Sequence, residues 1–249
     1  MSGHSKWATT KHRKGAKDSA RAKVFAKLIR QVEVAAREGG ADPAANASLR
    51  TMFQKAREAS VPLDTIERAI KRGTGELEGV RYEAVTYEGY SPGGIAVIVE
   101  TLTDNRNRTS AEVKHLFSKN GGSIAEPGAV SWQFDRKGVI EVRGPIDDDQ
   151  LLEWVLEAGG DNFSAHGDNF LVTTEPTDVG IVRDALEAFG VSVVSAELTL
   201  VAQNSIAVTD EADAKKILRL MEAIDDHDDV QNVYANFDIS DEILVAFEG

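Results

Sequence analysis

The spacing of apolar side chains changes once along this chain, at GTGELEG (residues 73–79), and that change divides what the chain can fold into. Before it, apolar residues recur every three or four positions: Phe25, Leu28, Ile29 and Val32, then Leu49, Met52, Phe53 and Ala56, then Ile66 and Ile70. That period gathers them on one face of a helix. Gly39-Gly40 and Gly73 supply stops, and Asp64 with Glu67 has the spacing of a capping box. Lys23, Lys27 and Arg30 fall off the first stripe, so their charge is expected along a solvated side. Three short amphipathic helices bury their stripes against one another, which predicts a helical bundle over residues 1–80.

After the linker the period becomes two. YEAVTYEGY and GIAVIVETLT read as strands joined by SPGG. TSAEVKHLFSKNGG reads as a helix opened by a Thr109/Glu112 capping box, and AVSWQF and GVIEVRG return to strand. From GVIEVRG to SAELTLVA the order is β-α-β-β-α-β, the split βαβ of ferredoxin-like folds. The tail, SIAVTDEADAKKILRLMEAIDDHDDVQNVYANFDI, repeats a β-α-β half that needs partners from the strands before Phe134. The expected fold class is α+β: an N-terminal three-helix bundle plus two ferredoxin-like α/β domains, one inserted in the other. The boundaries fall at 1–80, at 81–135 with 204–249, and at 136–203.

Charge is divided as sharply as period. Residues 1–75 carry 16 Lys+Arg against 7 Asp+Glu, a net of +9, whereas the remainder carries 12 against 34. A cationic module on an acidic chain suggests a surface for a polyanion; the rival reading is that the module pairs with the chain's own acids. With no cysteine, disulfides, thiolate metal sites and cysteine nucleophiles are excluded. There is no signal-peptide pattern, and no apolar run approaches the roughly 20 residues that span a bilayer. A cytoplasmic protein is expected, although the Lys/Arg-rich start also fits an organelle transit peptide.

No enzyme signature is present. GTGELEG is neither a dinucleotide fingerprint nor a phosphate-binding P-loop, and no G-x-S-x-G elbow or H-E-x-x-H pair occurs. The five histidines are dispersed. IDDHDDV around His227 reads as a solvated turn rather than a metal loop, and the acids at Asp147–Asp149 as a helix start. Neither catalytic residues, a metal nor a cofactor is expected.

The residues suited to chemistry are cationic. Lys6, Lys11, Arg13, Lys14, Lys17, Arg21 and Lys23 crowd one arm with Thr9, Thr10 and Ser19, which can donate to phosphate oxygens. Trp7 suits stacking on a base or docking onto the bundle. Such contacts position a protein on nucleic acid without selecting a sequence. A second cluster, Asn105, Arg106, Asn107 and Arg108, stands where a strand ends and a helix begins, a position that either attracts anions or caps the helix. Lys71 and Arg72 make a weaker basic spot.

These stretches also carry a resemblance. MSGHSKWATTKHRKGAKDSARAKVFAKLIRQVEVAAREGG, IERAIKRGTGE, YEGYSPGGIAVIVETLTDNRNRTSAEV and NGGSIAEPGAVSWQF together resemble the YebC/PmpR family over essentially the full length. Gly3, His4, Lys6, Trp7 and the DNRNR residues carry it more specifically than TTKHRKGAKDSARA, which varies among relatives. The resemblance implies three domains, with one α/β domain inserted in the other. It also implies a cytoplasmic transcriptional regulator that binds promoter DNA and has no enzymatic activity. Related proteins, among them a mitochondrial translational activator of cytochrome c oxidase, act instead in translation, which makes ribosomal RNA and the ribosome the alternative partners. Charge alone does not separate the two polyanions. A scaffold that bridges protein partners is the rival of a different class, and the oligomeric state is not legible.

Overall fold

The computed structural model describes residues 18–240 and residue 243, with side chains from Arg21 onward. Lys6, Trp7, Lys11, Arg13, Lys14 and Lys17 therefore lie outside the described residues. The described residues open with three helices, α1 (Asp18–Gly39), α2 (Ala47–Glu58) and α3 (Leu63–Gly73). Their apolar stripes meet as the period predicts: Val32, Ala35, Ala36, Leu49, Ile66 and Ala69 are buried together, with Phe25, Leu28 and Phe53 partly buried around them. Gly40 turns the chain out of α1 with a φ of +88°, a conformation that glycine adopts without a Cβ penalty. Asn46 then fastens the corner. Its side chain accepts from Leu49 N at the start of α2 and donates to Ala35 O and Gly40 O at the end of α1.

The expected Asp64/Glu67 capping box does not form. Pro62, not Asp64, precedes the helix; its fixed φ suits a helix start. Asp64 thus lies inside the first turn and pairs with Arg68 at 3.1 Å. Gly73 lets α3 approach α1 closely, since a Cβ there would stand 2.3 Å from Glu33 O. Gly73→Ala is expected to cost about 2 kcal/mol in urea unfolding through this overpacking. Gly180→Ala, where a Cβ meets nothing within 4 Å, should be neutral or gain about 0.5 kcal/mol from helix propensity.

Beyond the helices follow β1 (Glu83–Tyr90), β2 (Ala96–Thr103), α4 (Arg106–Lys119), β3 (Ser123–Ala125), β4 (Phe134–Arg143), α5 (Asp148–Glu157) and β5 (Asn162–His166). The remainder is β6 (Asn169–Thr174), α6 (Val179–Ala188), β7 (Val193–Ala202), β8 (Ile206–Val208), α7 (Glu211–Asp225), β9 (Val230–Ala235) and β10 (Phe237–Ile239). One four-stranded sheet has the order β3-β1-β2-β9 and a second the order β5-β6-β4-β7, antiparallel throughout. The second is the split βαβ arrangement, with α5 and α6 burying Leu151, Val155, Val182 and Leu186 against Ile140, Val142 and Val172. On the first sheet, α4 and α7 bury Val113, Phe117, Ile217 and Met221 against Val97, Val99 and Val233. Its opposite face packs Ala96, Ile98 and Tyr234 on Val130 and Phe134, with Leu200 and Ala202 of β7 alongside.

Three local expectations are corrected. AVSWQF is not a strand until Phe134, because Ser131–Gln133 form a 3₁₀ turn. The physical cause is Glu88 on β1, whose carboxylate accepts the backbone N–H groups of Gly128, Val130 and Ser131 and so removes them from any ladder. The helix after β2 starts at Arg106 rather than Thr109, since Asn105 accepts from Arg108 N as its cap. In the tail, β9 joins β2, but β8 pairs in parallel with β10 instead of entering the first sheet. Buried Asn236 makes the switch: its Oδ1 and N–H bond to Ala96 while its carbonyl accepts from Ile206 N. No described helix is long and apolar enough to cross a membrane.

Candidate nucleic-acid interface

Lys23, Lys27 and Arg30 lie at four- and three-residue intervals on α1, which places them on one side of the helix. That side faces the turn after α7. Lys23 Nζ stands 3.1 Å from Asp226 Oδ1 and donates to Asp226 O; Lys27 Nζ stands 3.3 Å from Asp225 Oδ1 and donates to Asp225 O. Arg30 Nη1 donates to Asp228 O and lies 3.3 Å from Asp229 Oδ1. The expected solvated side is thus corrected for Lys27 and Arg30, whose side chains are only 16% and 19% exposed. The turn attracts them twice over, through its carboxylates and through carbonyls at the negative end of a helix dipole. The solvated reading of IDDHDDV is corrected in the same way for Asp229, which is buried beneath α1, and for Asp225, which is half-buried there, while Asp226 stays open.

Asp229 is the hub. Its Oδ2 accepts from Arg108 Nη2 at 2.6 Å, from Thr109 Oγ1 at 2.7 Å and from Thr103 Oγ1 at 3.3 Å. Burial pushes this carboxyl upward, but hydrogen bonds from Arg108 and Thr109, with the charges of Arg108 and Arg30, outweigh it and hold the group below the usual carboxylate range. Arg108, bonded to Asp229 and Asp104, is held more firmly protonated in turn. His227 accepts from Asp229 N on Nδ1, which leaves its Nε2–H to donate to Glu112 at 2.8 Å. Between these groups and Tyr82, over whose ring Arg30 stacks at 5.5 Å, lies a cleft of about 520 Å³.

Glu112, His227 and Asp229 each bring one ligand atom within 4.8 Å of the others. They do not fit a metal ion. Asp229 Oδ2 is committed to Arg108 and Thr109, His227 uses both ring nitrogens, and the Arg108 guanidinium occupies the position a cation would need.

The structure therefore brings Lys23, Asn105 and Arg108 together at one junction, each with a partner inside the protein. Arg106 and Asn107 are exposed on the first turn of α4. Arg21 is exposed and lies 5.3 Å from the Phe25 ring. Sequence reasoning missed Asp229, Thr103 and Tyr82. The available signal was the opposite charge of the three cations Lys23, Lys27 and Arg30 and the four acids of IDDHDDV, about 200 residues away.

Comparison with known proteins adds a second line of observation. Residues 5–76 match the family model described as "TACO1/YebC protein N-terminal domain", and residues 82–237 match "TACO1/YebC second and third domain". A protein named "Probable transcriptional regulatory protein" from Halothermothrix orenii is 51% identical over 247 residues, covering 98% of each chain. One of the same name from Acidithiobacillus ferrooxidans is 52% identical over 248 residues, covering 100% of this chain and 99% of its own. The crystal structure of a conserved hypothetical protein from Aquifex aeolicus is similar with a TM-score of 0.82 at 44% identity, over 93% of this chain and 97% of that one.

Proposed function

The chain belongs to the TACO1/YebC family, and from that premise we propose that it is a non-enzymatic regulator of gene expression that acts in the cytoplasm by binding duplex DNA. The observation that carries the reading is the segregation of charge, +9 over residues 1–75 on a chain of net −13. Such a distribution draws a polyanion to those cations of the helical module that are not, like Lys27 and Arg30, already committed to the chain's own acids. It limits contact with the acidic α/β part to isolated basic spots. The regulatory name shared by two relatives supports the same direction. We assign Lys6, Lys11, Arg13, Lys14, Lys17 and Arg21 to phosphates and Trp7 to stacking, with Arg106 and Asn107 as outlying contacts. Lys23 joins them by exchange, since its pair with Asp226 is open to solvent on both sides and exposed pairs of this kind contribute only about 0–1 kcal/mol. Asn105 and Arg108 set the shape of the neighbouring loop. We divide the chain into modules at 1–80, 81–135 with 204–249, and 136–203.

The test is a titration of the full chain against a labelled 30-base-pair duplex by fluorescence anisotropy, in potassium chloride from 50 to 300 mM. With about six phosphates contacted, log K should fall against log salt with a slope near −5. Replacing Lys11, Arg13, Lys14 and Lys17 together by Gln should reduce that slope by about 3 to 4. A slope near zero, or an unchanged slope in the variant, removes the assignment. Tighter binding to a structured ribosomal RNA fragment at equal salt would move the function to translation.

A further inference from the structure

Two runs of this chain, residues 127–134 and 198–209, contain no Asp, Glu, Lys or Arg. At the chain's 28% of charged residues they would together carry about five. The fold joins them. Gln203 N donates to Gln133 O, and Asn236 reaches both runs: its Nδ2 donates to Gln133 Oε1 and its carbonyl accepts from Ile206 N. Much of the joined region is open to solvent, with Pro127, Trp132, Gln203, Asn204, Ile206 and Ala207 all exposed. Trp132 is the one exposed aromatic side chain among the described residues.

Trp132 is also held in place before any contact is made. Its Nε1 donates at 3.0 Å to Ala129 O, a carbonyl that accepts from Tyr90 Oη as well, and the Glu88 carboxylate fixes the backbone of the same loop. With its single donor spent inside the protein, the indole offers only carbon to a partner. A side chain oriented in advance loses little freedom on binding. The surface therefore suits apolar protein surface, and a phosphate chain finds no cation in either run.

Charge selects which protein. From residue 76 onward 34 acids face 12 Lys+Arg, all of them outside the two runs, and copies of a chain of net −13 repel one another. Two copies meet most readily where neither carries charge. A two-fold contact sets the same patch on both sides, so Trp132 of each copy can lie against the apolar side chains of the other. The patch is smaller than the roughly 20–30 residues a side of a stable interface, and the pairing is correspondingly reversible.

We propose that this charge-free face is the contact surface of a weak homodimer, with Trp132 as its anchor. Sedimentation equilibrium of the full chain from about 5 to 500 µM tests it without any nucleic acid present. The weight-average mass should climb from the 26.9 kDa of one chain toward twice that value. Trp132→Glu and, on the other run, Ala207→Glu should each weaken pairing by about thirtyfold or more, because each substitution enters a two-fold contact twice. Trp132→Phe should keep most of it, and thermal unfolding of all three variants should match wild type. Raising potassium chloride from 50 to 300 mM should strengthen pairing by screening the net charge. A chain that stays at 26.9 kDa throughout overturns the proposal. So does pairing that either Glu variant leaves intact, or pairing that salt dissolves. Trp132→Glu that weakens duplex binding in the anisotropy titration while leaving the mass unchanged would also overturn it, and would give the face to nucleic acid.

Discussion

Asp229→Ala should lower the unfolding free energy by about 3 to 5 kcal/mol, the effect of removing one member of a buried charged network. Asp229 is 3% exposed and is the common acceptor for Arg108, Thr109 and Thr103, with Arg30 close by. Arg108 is partly open and can recover water, but Arg30 and the buried Thr103 and Thr109 cannot do so fully. For a chain of this size the thermal midpoint should fall by about 10 °C. Asp229→Asn should fall between the two, since an amide keeps the shape but offers a donor where donors already point. Urea unfolding measures the loss, and the rate of tryptic cleavage after Lys27 and Arg30 should rise as α1 leaves the turn. A loss below about 1 kcal/mol with unchanged cleavage would mean that the junction behaves as an exposed ion pair.

The second large effect is expected at Glu88. Its carboxylate accepts three backbone N–H groups at 2.7, 2.7 and 2.9 Å, and Glu88→Ala leaves the Val130 donor buried without a partner while Gly128 and Ser131 regain water. The cost should be about 2 to 3 kcal/mol. The loop should also loosen, visible as easier quenching of Trp132, which is 67% exposed and otherwise tied by Nε1 to Ala129 O. Burial raises the Glu88 carboxyl, but the hydrogen bonds from Gly128, Val130 and Ser131 outweigh it, and the group sits below its ordinary value as Asp229 does. The unfolded chain therefore binds these protons at a higher pH than the folded chain. Stability from both groups is complete above about pH 5, the upper end of carboxylate titration in the unfolded state, and is lost as pH falls through their folded values. Urea midpoints from pH 7 to pH 3 should drop at the acid end, and less steeply in Glu88→Ala than in wild type. Equal acid sensitivity would assign the loss to other carboxylates.

The patterns that repeat locally were readable. Phe25, Leu28, Ile29 and Val32 announced their helix, and the β-α-β-β-α-β order of the second sheet followed from alternation and turn residues. What escaped depends on contacts distant in sequence. Glu88 diverts AVSWQF from strand geometry from about 40 residues away, and nothing inside that hexapeptide signals it. Thr109 has the composition of a helix cap but is a buried hydroxyl facing Asp229, because Asn105 had already started the helix. The site was half legible. Both the cations of α1 and the acids near His227 were visible as clusters, but local spacing carries no information about which cluster meets which.

The long strands β4 and β7 have a mechanical consequence. Each runs ten residues, and their near ends, Phe134 and Ala202, are packed into the first sheet while Ile140 and Val142 anchor the second. Gln203 N donating to Gln133 O, and Asn236 Nδ2 to Gln133 Oε1, brace the crossing. A pair of hydrogen-bonded strands resists torque far better than a single tether, because swivelling one sheet against the other would require both strands to slip register together. A load on the far tip at Arg143 should therefore pass to the first sheet as along a lever, with no joint to absorb it.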